Sequence, residues 1–299
     1  MVIRHQPDEA FNLVAAVPDR DGDRFWSRGP AIARDLMTDE IPLSDGWPSV
    51  SGSVLIDGRV HRSTGPWTSS VHAFLRHLEA FGFAGAPSVV GFDQDGREVL
   101  SWVEGEAPGY PWPIWMQGGE VLAELGRLLR RFHVASASFA APPGSSWRCW
   151  LGSPGGPMIR HGDLWPANFV FRSGKPVALV DWDFAQPGTA LDDLASAAKH
   201  WVPLCSDERA AGDGWQLPLE RRHRLRVLCD GYGLDRTGRE ALVPTVLRNA
   251  LFGYLSHKTW GESGVPGFAE MWRDGSGTSI LNDRAWLQDH LDLCGFVDD

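Results

Sequence analysis

The stretch from Arg160 to Gly188, RHGDLWPANFVFRSGKPVALVDWDFAQPG, constrains this chain more than any other, because it carries the one strong β pattern in an otherwise helical second part. Two apolar runs, Phe169–Phe171 and Val177–Val180, flank RSGKP, a natural hairpin turn. Antiparallel pairing brings the open ends of such a hairpin together. Asn168 starts one strand and Asp181 ends the other, so a carboxamide and a carboxylate must meet at one sheet end. His161 and Asp163 lie one loop away. Whatever the rest of the chain does, it has to accommodate that polar cluster beside a buried hairpin.

The surrounding patterns predict an α+β fold in two parts. In SVLIDGRVHRS, two short β runs surround Asp57-Gly58, a dipeptide suited to a tight turn. TSSVHAFLRHLEAFG follows, with Val71, Phe74, Leu75 and Leu78 at helical spacing, Thr68 or Ser69 as N-cap and Gly82 as stop. SVVGFDQDGREVLSWVEGE reads as a second hairpin turning at Asp95-Gly96. The first third is therefore a small antiparallel sheet with one helix. EAPGYPWP is a Pro- and Gly-rich connector, and GEVLAELGRLLRRFHVAS then predicts a helix with its stripe on Val121, Leu122, Leu125, Leu128, Leu129 and Phe132. Leu191, Leu194, Ala198 and Trp201 share a further helical face, and more helices are expected near 219–229, 238–256 and 283–294. Residues 1–45, rich in charge, Gly and Pro, offer one helix around Ala31 to Met37 and no evident role.

At 299 residues, 43% hydrophobic and 22% charged, the composition is that of a globular protein of one large domain or two lobes. No run of about 18 apolar residues is present, so no membrane span is expected. Asp8 and Glu9 precede only a very short apolar patch, unlike a secretory signal. Cys149, Cys205, Cys229 and Cys294 are scattered without C-x-x-C spacing, which predicts reduced thiols and a cytoplasmic location. A net charge of −10 with no basic cluster argues against nucleic acid and favours cationic small molecules. There is no G-x-S-x-G elbow, and neither DRDGD nor DQDGRE has the ligand spacing of a calcium loop.

The spacing H-x-D-x-x-x-x-N followed by a strand ending in Asp suits phosphoryl transfer. A transferred γ-phosphoryl group is anionic, so cations must neutralise it, and the acceptor hydroxyl needs a carboxylate to orient it and take its proton. Asp163 suits the base. Asn168 and Asp181 offer oxygen ligands for Mg²⁺.

HGDLWPANFVF and VALVDWDFAQPG resemble the signature of the aminoglycoside phosphotransferase and related small-molecule kinase family, which has a bilobal protein-kinase-like fold. VLSWVEGE is similar to its last N-lobe strand and hinge, LLRRFHVAS to the helix before the catalytic loop, and LDDLASAAKHWVPL to the helix after the metal loop. The resemblance spans roughly residues 43 to 295. It implies an N-terminal extension (1–42), an N-lobe (43–105) with the nucleotide-binding sheet, and a mainly helical C-lobe (106–299) with the catalytic loop, metal loop and acceptor site. It also implies an ATP- or GTP-dependent enzyme using Mg²⁺. Arg62 would stand in for the usual strand lysine, and the backbone of Trp102, Val103 and Glu104 would meet the base. His161, Asp183 and Asp193 would support the loops. The chain departs from the pattern in its glycine loop, where SVSGS holds only Gly52, and in having Val71 and His72 where a helix glutamate should stand. The lysine–glutamate ion pair is thus expected to be absent or rebuilt.

Acidic residues of the second part, Asp207, Glu208, Asp213, Asp230, Glu262 and Glu270, are candidates to receive ammonium groups of an acceptor. Trp112, Trp115, Trp165 and Trp260 are candidates to line its pocket. An aminoglycoside-like acceptor is the leading expectation. Choline, a sugar or other metabolite, a macrolide, or a ketosamine on protein are alternatives, as is a non-catalytic nucleotide-binding module.

Overall fold

A computed structural model describes residues 40–43 and 52–294. The helix expected at Ala31–Met37 and most of the SVSGS loop lie outside the described residues. The first third forms a five-stranded antiparallel sheet in the order β1-β2-β3-β5-β4, from β1 (Ile41–Pro42), β2 (Val54–Ile56), β3 (Arg59–Arg62), β4 (Val89–Phe92) and β5 (Glu98–Ser101). Asp57 and Gly58 alone join β2 to β3, with φ of 48° and 71°. Two successive left-handed residues match the turn to the twist of its strands. β3 pairs with β5 so that Val60 faces Leu100 and Arg62 faces Glu98.

α1 (Thr68–Phe81) lies between β3 and β4 and buries Val71, Phe74, Leu75 and Leu78, as its spacing predicts. Gly82 ends it in the left-handed region at φ 87°. Its start differs from expectation: Trp67 occupies the cap position and its side chain caps no backbone N–H of the helix. Thr68, already helical, accepts the Gly65 N–H on Oγ1 at 2.9 Å.

The second part is mainly helical. α2 (Gly119–Ser136) buries its whole predicted stripe. It lies so close to α5 (Arg221–Tyr232) that a Cβ on Gly126 would stand 2.7 Å from the Leu228 carbonyl oxygen. α3 (Ala190–Trp201) begins with a capping box between Thr189 and Asp192. α4 (Asp207–Gly212), α6 (Arg236–Glu262), α7 (Phe268–Arg273), α8 (Ser276–Asp289) and α9 (Leu291–Cys294) complete it. The last predicted helix is two, because the chain breaks at His290. Among the described residues no helix is long and apolar enough to cross a membrane.

Two small ribbons sit between the parts. β7 (Phe169–Arg172) pairs with β8 (Lys175–Leu179), and β6 (Met158–Arg160) pairs with β9 (Gln186–Gly188). Phe171 exchanges backbone hydrogen bonds with Glu106 at 2.7 and 2.8 Å, tying the first ribbon to the connector after β5. Phe74 of α1 meets Phe132 of α2 and Trp182 edge-on, with centroids 6.2 and 5.8 Å apart. One core therefore runs through sheet, helices and ribbons.

Candidate active site

The hairpin brings its ends together as its sequence requires. The Val180 N–H donates to the Asn168 carbonyl at 2.9 Å, so Asn168 and Asp181 lie at one end of the β7–β8 ribbon. The loop after β6 adds Asp163. The Asn168 side-chain amide donates to the Asp163 carbonyl at 2.9 Å and to Asp163 Oδ2 at 3.1 Å. Its nitrogen being engaged, Asn168 has its Oδ1 left for a ligand. Burial, and then the charge of Asp181, push the Asp163 carboxyl up to about 7.

The loop is held from behind. Asp193 of α3 accepts the His161 N–H at 2.8 Å and the Gly162 N–H at 2.9 Å, and bonds His133 Nε2 at 3.1 Å. His161 donates from Nε2 to the Val180 carbonyl at 3.0 Å and accepts the Asp163 N–H on Nδ1 at 3.3 Å. Burial lowers its pKa, in keeping with a neutral ring that fixes the loop. Only glycine fits at 162: its φ is +83°, and a Cβ would lie 2.2 Å from the Phe184 carbonyl oxygen.

Arg62 is buried and ends β3 against three carboxylates. Its Nε lies 2.9 Å from Glu98 Oε1 and its Nη1 donates to Asp181 Oδ1 at 3.3 Å, while Nη2 pairs with Asp183. Burial alone would lower its pKa, but the carboxylates of Asp183, Asp181 and Glu98 raise it. Glu98 in turn bonds His72 of α1, Nε2 to Oε2 at 2.8 Å. The strand cation thus finds its glutamate on the neighbouring strand rather than on the helix. The helix contributes His72 to the same network. Asp181 sits at φ 59°, a conformation rare for a non-glycine residue and held here by its surroundings. Burial works against its ionised form, yet Arg62 keeps its pKa low. Asp183 goes the other way, raised by burial.

A cavity of about 570 Å³ opens from Asp163, Asn168, Asp181 and Asp183 into the helical part. Trp112, Trp165 and Trp215 line it, with Lys199 and His200 of α3, and Asp213 and Asp283 beyond. Arg148 lines it too, near enough to Asp183, Asp181 and Asp163 to feel their charges. A far smaller gap, about 10 Å³, lies under the sheet between Val60, Leu100, Val180 and Asp181.

A model of the phosphotransferase enzyme family matches residues 147–228. The trifolitoxin immunity protein of Rhizobium leguminosarum bv. trifolii is 40% identical over 270 residues, which is 84% of this chain and 98% of that protein. This chain belongs to the phosphotransferase enzyme family. Solved structures share its kinase-like fold at low identity. Amicoumacin kinase hAmiN, in complex with AMP-PNP, Ca²⁺ and Ami, superposes with a TM-score of 0.58 at 13% identity, covering 86% of this chain and 90% of that one. A choline/ethanolamine kinase family protein from Mesorhizobium loti gives 0.52 at 13% identity, covering 84% and 92%.

Within this phosphotransferase fold, the residues expected at the chemical centre come together, whereas those expected to hold the acceptor do not. Asp207, Glu208, Asp230 and Glu262 are exposed and line no part of the cavity. Asp207 pairs with the buried Arg221 at 2.8 Å, and Asp230 pairs with Arg239. Their helices turn apolar faces inward, so these charges point to water. Asp213 does line the cavity, but Glu270 does not. Of the tryptophans, Trp112 and Trp165 reach it, Trp115 packs on Phe171, and Trp260 packs on Trp150 and Phe268. Trp102 and Val103 are half-buried after β5, and the Glu104 carbonyl accepts the Arg172 Nε–H at 3.2 Å. Sequence reading missed Glu98, Arg148 and Lys199, and it marked the place of His72 without its bond to Glu98. Glu98 was out of reach because it meets Arg62 across β3 and β5, strands of two different hairpins, whose mutual register neither turn sets. No signal existed for Lys199, whose place depends on how α3 packs.

Proposed function

We propose that the chain transfers the γ-phosphoryl group of a nucleoside triphosphate to a hydroxyl of a small molecule held in the 570 Å³ cavity. The observation carrying this reading is the meeting of Asp163, Asn168 and Asp181 at the mouth of that cavity, with Asp163 lifted to about 7, where a carboxylate is a better base. Asp163 orients the acceptor hydroxyl and takes its proton as the oxygen bonds to Pγ. The bond from Pγ to the β,γ-bridging oxygen breaks, and its electron pair leaves with the nucleoside diphosphate.

Asn168 Oδ1 and the Asp181 carboxylate would hold Mg²⁺, which supplies charge neutralisation for the phosphates. Among the described residues no cluster of three or more acidic, His or Cys side chains is arranged to bind a metal unaided. Two protein oxygens suit a cation that completes its shell with phosphate and water. Arg62 would anchor the phosphates from the sheet, and the backbone at Trp102, Val103 and Glu104 would meet the base.

The acceptor wall carries both signs of charge. Asp213 and Asp283 suit ammonium groups, while Lys199 stands among them, its pKa lowered by burial. An acceptor bearing an anionic as well as a cationic group fits this wall better than a polycation. Since the relative of 40% identity is named for immunity to trifolitoxin, the activity proposed here protects a cell by phosphorylating a toxic compound.

The test is ATP- and Mg²⁺-dependent phosphorylation of aminoglycosides, choline, amino alcohols, hydroxyl amino acids and trifolitoxin, read by mass spectrometry. Wild type is expected to add one phosphate to at least one acceptor. Asp163→Asn should lose this by roughly 10²–10⁴-fold while still binding nucleotide. Transfer that persists in Asp163→Asn would remove the base assignment.

A further inference from the structure

Resting on the phosphotransfer reading, we propose that Arg148 binds the γ-phosphoryl group itself, as an arginine supplied in cis to carry the charge that moves from nucleotide to acceptor. Arg148 belongs to none of the motifs of the site. It lies in the segment between α2 and β6, in SSWRCW, between two tryptophans.

That segment is fixed on three sides. The Ser146 N–H donates to Ser70 Oγ of α1 at 2.8 Å, and the Leu151 N–H donates to Ser256 Oγ of α6 at 2.8 Å. Trp150 Nε1 donates to the Gly162 carbonyl in the base loop at 2.7 Å, and its ring stacks on Phe184 at 4.4 Å. Arg148 is thereby held over the base loop and the metal loop together.

The guanidinium is cradled by aromatic faces. It lies 4.6 Å from the Phe184 ring, 4.8 Å from Trp67, 5.5 Å from Phe268 and 5.8 Å from Trp260. Trp67 comes from the sheet side, and its side chain also hydrogen-bonds Asp183. Among the described residues Arg148 makes no ion pair and no hydrogen bond, although Asp183, Asp181 and Asp163 are all near enough for their charges to act on it. Burial weakens its hold on its proton, but a guanidinium remains charged.

A half-buried arginine that stands back from three carboxylates, with its donors unused, is arranged for an anion that arrives between them. The γ-phosphoryl group is the anion the reaction brings to that point. Stacking leaves the planar fork free at its edge, and the fork matches two phosphate oxygens. Arg62, engaged by Glu98, Asp181 and Asp183, keeps fewer donors for the γ-phosphoryl group than Arg148 does.

The test compares binding of Mg²⁺·AMP-PNP and Mg²⁺·ADP to the full chain by calorimetry, in wild type, Arg148→Met and Arg148→Lys. Apo thermal unfolding serves as the folding control. Loss of a charge-assisted phosphate contact should weaken AMP-PNP by roughly 10- to 100-fold in Arg148→Met and leave ADP within about threefold. Arg148→Lys should fall between, since a point charge replaces the fork. Should Arg148→Met not fold, Arg148→Lys decides the matter by the same comparison. An AMP-PNP affinity that does not change overturns the proposal and leaves Arg148 to an acceptor anion. Equal losses for both nucleotides overturn it in favour of a structural role. Wild type that binds neither nucleotide overturns the phosphotransfer reading beneath it, a result separate from either.

Discussion

Asp163 shows at the residue scale how a site of this kind works against its own fold. Its carboxyl, pushed up to about 7 by burial and by Asp181, binds its proton more tightly in the folded chain than in the unfolded one. A group raised in this way contributes stability that is complete below the unfolded value near 4 and lost as pH rises through about 7. Wild type should therefore lose stability across that window relative to Asp163→Asn. At pH 8 the variant is expected to be more stable by ~1–3 kcal/mol, a margin that shrinks towards pH 4. Urea unfolding at the two pH values checks this, and a margin that does not depend on pH would remove the assigned shift. For catalysis the sign is reversed. As the proposed base, Asp163 must be ionised, so the transfer rate should climb with pH and level off near or below 7, a cation held as proposed at Asn168 and Asp181 pulling the midpoint down.

Among elements, the pairing of β3 with β5 decides how the buried cation is held. Arg62 and Glu98 are opposite one another in that register, 36 residues apart in the chain. His72 reaches the same glutamate from α1, so strand, strand and helix share one ionic network. Removing one partner of a buried pair is costly, about 3–5 kcal/mol where no other partner remains. Here Asp181 and Asp183 remain, and Glu98→Gln should cost about 2 kcal/mol, a fall in Tm of roughly 3 °C. The two aspartates would then hold Arg62 more tightly. Weaker nucleotide binding in Glu98→Gln is the expected companion, and an unchanged Tm would show that the strand pair contributes nothing.

For the molecule as a whole, sheet and helical part behave as one body because their cores are shared. Phe74 is fully buried and touches Phe132, Phe139, Trp147 and Trp182, rings from α2, from the segment after it and from the loop after β8. Phe74→Ala should cost ~3–5 kcal/mol. Calorimetry of wild type should show one unfolding transition, and two well-separated transitions would contradict the shared core. The same packing fixes the segment that carries Arg148, since Trp147 lies in this cluster.

Local patterns in the chain were enough to foresee the elements and the meeting of Asn168 with Asp181 beside Asp163. Period-two and helical spacings are local, and they placed the hairpins at Asp57-Gly58 and Asp95-Gly96, the helix from Val71 to Leu78 and the stripe of α2. The β7–β8 hairpin needed no partner to bring Asn168 and Asp181 together, for a two-stranded turn closes on itself. What surrounds them came from packing between distant elements. Glu98 became the partner of Arg62 through a strand register that no single stretch of the chain records. Asp207, Glu208, Asp230 and Glu262 were turned to water, while Lys199 and Asp283 faced the cavity, by the way α3 and α8 pack. Arg148 was drawn in by rings from four separate segments. A charged side chain carries no mark of which face of the fold it will occupy: that face is set by the apolar residues beside it, once they have found the core.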